Sequence, residues 1–357
     1  MNTTLELAEL DRKIGQLFMF GVPGTELDEE TRQRIQAFRP GGVILFSRNV
    51  RDPVQVAALC RGLQETSLEA HGTPLFLAVD QEGGRVARLR APFTEFDGNE
   101  AIGGSEDPEA RAEAFARTTA REMKMVGLNM DLAPVLDVGR GEVEEHLRGR
   151  TFGGDPALVA RLGSIVIRTL QAEGIMAVAK HFPGLGRTSR DPHHHLPEIL
   201  LDASELEDVN LVPFRAAIRE GVAGVMTSHA VYSCLDSEMP GTLSGAVIED
   251  LLRRDLGYEG LVITDDLEMG AITGAWGVTQ GAAAAFEAGA DILLICKEQA
   301  LVDEALVEIR GRLLRGAIPM ERLHHSVERI QRARSRFLHP TLSAPPADVV
   351  SFFSGRA

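Results

Sequence analysis

Cysteine, aromatic residues and positive charge are all in short supply in this chain. Its three cysteines, Cys60, Cys234 and Cys296, are widely separated and show no paired spacing, which argues against a disulfide framework or a thiolate metal site. They are expected to be reduced and mostly buried. Aromatic content is 5%, with a single Trp at 276, so a broad platform for stacking long sugar chains is not expected. Basic residues number 37 against 52 acidic ones, for a formal net charge of -15. Nucleic acids and anionic membranes both need clustered Lys and Arg, and that balance excludes them as general partners. No apolar run approaches the length of a membrane span. The start of the chain places acidic residues where a secretory signal needs a basic and then an apolar segment, which predicts a cytoplasmic protein.

Apolar residues make up 44% of the 357 positions, enough for one large core. They fall into eight short runs: 17–20, 43–46, 75–79, 130–133, 176–179, 224–227, 261–264 and 292–295. Between them lie amphipathic segments such as 109–126, 157–173, 206–220 and 279–288, several opened by Asp or Ser and closed by Gly. Strand and helix alternating eight times predict a single-domain (β/α)8 barrel over residues 1–338. After Leu338 helical periodicity is lost, and residues 339–357 are expected to form a tail lying on the surface.

Polar residues cluster where the apolar runs end. Asp80, Asp137, Lys180, His181, His229 and Asp265 all follow a strand candidate, the position of catalytic groups in a barrel. An open doubly wound sheet would confine such groups to one switch point. The stretch from Lys180 to Pro197 is the densest: it ends an apolar strand in Lys180 and His181, turns at Pro183 and Gly184, and then sets Asp191 two residues before His193. At that spacing a carboxylate can orient an imidazole and tune it for proton transfer. In Thr264-Asp265-Asp266-Leu267-Glu268, strand alternation turns only one of the two Asp residues toward the barrel mouth. Asp265 is the candidate nucleophile or anionic stabiliser, with capping of the following helix as the alternative for either residue. Asp80 is placed to accept vicinal hydroxyls with Arg88 close by, although a surface salt-bridge cluster would read the same way. Arg150 is a further candidate.

His193 and His195 could face one way and suggest zinc. Metal-dependent hydrolase barrels, however, carry such a pair on the first strand, and here it follows the fifth, after Lys180 rather than before it. No metal and no cofactor is expected, and neither a phosphate-cradling loop nor a dinucleotide fingerprint is present.

Together these motifs resemble glycoside hydrolase family three, and within it the single-domain β-N-acetylglucosaminidases. The resemblance runs from Ile14-Gly15-Gln16-Leu17 through Pro40 to Phe46, Asp80 to Val86, Ala133 to Asp137, Arg150 to Gly153 and Lys180 to Gly184, and ends with Pro240 to Ser244 and Thr264 to Met269. It implies that Asp265 is the nucleophile, that Asp191 and His193 form an acid/base dyad on a loop, and that Asp80, Arg88, Arg150, Lys180 and His181 bind the sugar, with His229 lining the pocket. The implied activity is retaining hydrolysis of terminal β-linked GlcNAc, from muropeptides or short oligosaccharides, by a monomer or weak homodimer whose partner is a small carbohydrate. A phosphorylase or a β-glucosidase on the same fold is the alternative, and a non-catalytic sugar-binding barrel is disfavoured by the intact Asp265 and His193. The chain departs from the family pattern at Leu185, Arg187 and Pro192. Pro192 has no N–H and biases Asp191 toward extended backbone, so a stiffer loop is expected.

Overall fold

The computed structural model describes residues 3–140, 144–186, 196–338 and 344–354. Eight parallel strands close into a barrel: β1 (Phe18–Gly21), β2 (Gly42–Leu45), β3 (Phe76–Val79), β4 (Met130–Asp131), β5 (Met176–Phe182), β6 (Gly224–Thr227), β7 (Leu261–Asp266) and β8 (Ile292–Ile295). Each strand pairs with its neighbours in sequence, and β8 pairs with β1 in the register Phe18 to Leu293 and Phe20 to Ile295. The expected barrel is therefore the observed one. Its strands read as continuous apolar runs because both faces are covered, by barrel interior on one side and helices on the other.

Helix starts follow from local chemistry. Asp52, Asp107 and Asp155 each precede a proline and accept a hydrogen bond from a backbone N–H in the first turn of the helices Pro53–His71, Pro108–Met125 and Pro156–Ala172. A carboxylate cap followed by a residue that has no N–H to satisfy suits a helix N-terminus twice over. Two additions crown the C-terminal ends of the strands. After β3 comes a small hairpin of Gln81–Gly83 against Val86–Ala87, and above β6 a three-stranded sheet joins Glu198–Ile199, Val231–Tyr232 and Asp236–Pro240.

The opposite end is held by charge. Asp291, fully buried just before β8, accepts hydrogen bonds from Val262 N (3.0 Å), Arg253 Nη2 (2.6 Å), Ser326 Oγ (2.6 Å) and Arg329 Nη1 (3.3 Å). One carboxylate thus ties β7 and β8 to the helices Ala246–Asp255, which carries Arg253, and Met320–Phe337, which carries Ser326 and Arg329. The tail differs from expectation: Pro346–Phe353 is a helix, with Val349 fully buried and the Phe353 ring edge-on to Phe93 at 4.7 Å. Eight residues are too few for the periodicity to stand out, and packing on the helix Pro53–His71, rather than propensity, supplies the stability. Among the cysteines, Cys60 and Cys296 are buried as expected, but Cys234 is exposed.

Asp291→Ala leaves Arg253 and the half-buried Arg322 and Arg329 short of their shared counter-ion, and should cost about 3–5 kcal/mol, read as a lower denaturant midpoint. Turnover by the folded fraction should be unchanged, because catalytic groups of such barrels sit at the other face.

Candidate active site

The strand ends of β3 and β5 bring together a buried charge network. Lys180, 2% exposed, donates through Nζ to Asp80 Oδ1 (2.8 Å) and lies 2.7 Å from Glu82 Oε1. Arg88 Nη2 reaches the other Asp80 oxygen at 3.1 Å, and Arg150 grips Glu82 with two parallel bonds, Nε to Oε2 and Nη2 to Oε1, both 2.8 Å. Such a fork is the strongest geometry available to an arginine and a carboxylate. Burial alone would raise the Asp80 carboxyl, but Lys180 and Arg88 outweigh it and hold it well below the usual range. Glu82 is likewise brought down to about 2, against burial, by Arg150 and Lys180. Lys180 would lose its proton through burial were it not for Asp80 and Glu82, which raise it. Arg88 also lies over the Phe46 ring, 5.6 Å from its centroid, with Arg48 at 4.7 Å from the same ring.

His181 turns to a different partner. Its Nδ1 is 2.7 Å from Asp137 Oδ2, and since a carboxylate only accepts, the proton belongs on Nδ1. Asp137 Oδ1 also accepts from the backbone N–H of Leu185 at 2.6 Å. This carboxylate therefore fixes both an imidazole and the first residues of the loop beyond β5. At Gly184, with φ +122°, the carbonyl accepts from Asn210 Nδ2 and Tyr232 Oη, both at 3.1 Å. A Cβ on Gly186 would come within 2.0 Å of Val138 O, so only glycine fits there. Leu185 is buried in the core. Asp191, His193, Arg187 and Pro192 lie outside the described residues.

On β7 the two adjacent carboxylates separate. Asp265 feels His181, His229 and Lys180, and although burial pushes its carboxyl up, these charges hold it below the ordinary range. Asp266 is pushed up to about 7 by burial, with Glu268 and Asp265 adding to the effect. Neither carboxylate caps the following helix Gly270–Thr273, whose N-cap position is Met269 and carries no side-chain bond; Asp266 instead braces the turn, its Oδ1 accepting from Glu268 N at 3.1 Å. His229 places Nδ1 2.8 Å from Thr242 Oγ1 and donates through Nε2 to Asp266 O at 2.9 Å.

Of the residues predicted from sequence, Asp80, Arg88, Arg150, Lys180, His181, His229 and Asp265 all stand at this end of the barrel. Sequence reasoning missed Glu82 and gave Asp137 no partner. Glu82 had a signal, since it lies two residues after Asp80 and strand alternation points both the same way. Among the described residues, no group of three or more His, Cys, Asp or Glu side chains is arranged to hold a metal ion.

The model of the N-terminal domain of glycosyl hydrolase family 3 matches residues 9–333. The chain belongs to glycosyl hydrolase family 3. It is 38% identical to the β-hexosaminidase of Thiobacillus denitrificans over 297 residues, covering 82% of this chain and 81% of that one. Among solved structures it is similar to a family 3 β-N-acetylglucosaminidase from Paenibacillus sp. str. FPU-7, with TM-score 0.90 and 37% identity over 97% of this chain and 68% of that one. NagZ from Neisseria gonorrhoeae, solved with N-trifluoroacetyl-D-glucosamine, matches with TM-score 0.75 and 31% identity over 96% and 97% of the two chains. This family 3 glycoside hydrolase thus carries its charged network at the C-terminal strand ends, the face on which (β/α)8 barrels carry their catalytic groups.

The raised Asp266 carboxyl gives stability a defined pH dependence. In the unfolded chain it ionises near pH 4, about its ordinary value, and in the fold near 7. The stability due to its neutral form is complete below the lower value and is lost as pH rises through the upper one, because the unfolded state gives up the proton first. Asp266→Asn removes that titration. Thermal unfolding should show the variant and wild type close together at pH 4 and the variant several degrees more stable at pH 8; a gap that does not change with pH would count against the raised pKa.

Proposed function

We propose that this hydrolase is a retaining exo-β-N-acetylglucosaminidase that removes terminal β-linked GlcNAc from short oligosaccharides, with peptidoglycan-derived muropeptides as the expected source. Asp265 carries the proposal: a carboxylate kept ionised by His181, His229 and Lys180 at the barrel mouth is what a glycosyl-forming nucleophile requires. Similarity to β-hexosaminidases and to a β-N-acetylglucosaminidase structure supports the choice of sugar. In the first step Asp265 attacks the anomeric carbon as the glycosidic C–O bond breaks, and the leaving oxygen takes a proton from His193. In the second, His193, oriented by Asp191, accepts a proton from water, which attacks the same carbon and releases Asp265 with the β configuration restored. Asp80, Lys180 and Arg88 would hold adjacent hydroxyls of the non-reducing sugar through charge-assisted hydrogen bonds. Arg150 and His181 complete the sugar site, and His229 lines its wall.

The catalytic barrel in this proposal is residues 1–338, with 339–357 as an appended segment. The chain is placed in the cytoplasm as a monomer or weak homodimer. Three free cysteines, one of them exposed, suit a reducing compartment. No helix among the described residues is long and apolar enough to cross a membrane.

Chromogenic β-GlcNAc, β-glucoside and β-xyloside substrates, each with and without phosphate, test the proposal. β-GlcNAc should be turned over fastest, without need of phosphate, and Asp265→Ala should lose activity by at least about a thousandfold. Turnover that depends on phosphate would indicate a phosphorylase, and full activity in Asp265→Ala would remove the nucleophile. His193→Ala should slow substrates with poor leaving groups far more than activated aryl glycosides, whose departure needs no proton.

A further inference from the structure

A continuous chain of hydrogen bonds connects the end of β8 to the Asp265 carboxylate. Glu268, half-buried in the turn after β7, accepts from two successive backbone groups: Oε2 from Lys297 N at 2.6 Å and Oε1 from Glu298 N at 3.0 Å. Its own N–H donates to Asp266 Oδ1 at 3.1 Å, and the N–H of Asp266 donates to Asp265 Oδ1 at 2.8 Å. On the other side of the Asp266 Cα, the carbonyl accepts from His229 Nε2 at 2.9 Å and from Met269 N at 3.0 Å. Thr242 Oγ1 holds the far nitrogen of the His229 ring at 2.8 Å.

The peptide units flanking Asp266 are therefore pinned from two directions, and one oxygen of Asp265 is fixed by the first of them. A glutamate in a surface turn is ordinarily solvated and its position free. Here both carboxylate oxygens are spent on backbone N–H groups of a neighbouring strand end, the charge-assisted kind of hydrogen bond. We infer that Glu268 is a positioning residue for the reaction: it clamps the turn 265–269 to the end of β8 and so aims the Asp265 carboxylate at the anomeric carbon. The inference rests on Asp265 being the nucleophile. Glu268 acts through the turn, not on the sugar. A misplacement of a reacting group by about 1 Å can cost about a hundredfold in rate, which sets the size of the effect.

The test compares Glu268→Ala and Glu268→Gln with wild type on aryl β-GlcNAc substrates with good and poor leaving groups. Glu268→Ala should lower kcat by about tenfold to a hundredfold with KM within about threefold, because aim is lost and binding is kept. The loss should be the same for both leaving groups, since nucleophilic attack, not proton donation, is impaired. Glu268→Gln keeps the volume and one acceptor, and should show a smaller loss of the same kind; it decides the question by itself if the Ala variant does not fold. Wild-type kcat in the folded variants, a change confined to KM, or a loss seen only with poor leaving groups would overturn the inference. Asp265→Ala separates the two levels: if it stays active the nucleophile assignment fails, whereas an inactive Asp265→Ala beside fully active Glu268 variants removes only the role of Glu268.

Discussion

Lys180 is the side chain on which the rest of the site depends. Its ammonium is almost completely withdrawn from solvent, and an isolated charge in that position would simply give up its proton. It stays charged because Asp80 and Glu82 converge on it from the loop after β3. Those two carboxylates could not both remain ionised around one ammonium, and Arg88 and Arg150 each take up one of them. The network then has one more positive group than negative, and that surplus faces Asp265 on β7. Lys180 is among the charges that hold Asp265 below its ordinary range, so the charge network also bears on the proposed nucleophile. Removing one member of such a buried set would expose the others to uncompensated burial, a loss of about 3–5 kcal/mol.

Much of this was legible in the chain. All eight strands correspond to apolar runs picked out by length and composition, because strands covered on both faces read as continuous apolar runs, and runs of four or five residues are too short for helices. The strand ends, where the apolar run stops in Asp, Lys or His, marked Asp80, Lys180, His181 and Asp265. What stayed hidden was pairing. Glu82 sits among glycines and arginines that resemble a surface salt-bridge cluster, and only the proximity of β3 and β5 reveals that it is buried against Lys180. Asp137 was visible as a polar residue after a strand, but its bond to His181 spans 44 residues, and no local rule predicts such a contact. The helix Pro346–Phe353 is short and owes its order to the surface it packs against. Asp191 and His193, the pair most evident from spacing, lie outside the described residues.

The adjacent carboxylates Asp265 and Asp266 show how neighbouring positions acquire opposite chemistry. Both are aspartates on the same strand end, and both are raised by burial. Asp265 meets imidazoles and an ammonium, which more than compensate, while Asp266 meets Glu268 and Asp265 itself, which add to the penalty. The proposed nucleophile must be ionised at the pH of turnover, whereas Asp266 need only accept the Glu268 N–H within the turn, which a neutral carboxyl still does. The neutral neighbour also spares Asp265 a second negative charge at close range. Were Asp266 ionised as well, each carboxylate would raise the other. Below about pH 7, where Asp266 is mostly protonated, the proposed nucleophile Asp265 is spared that repulsion.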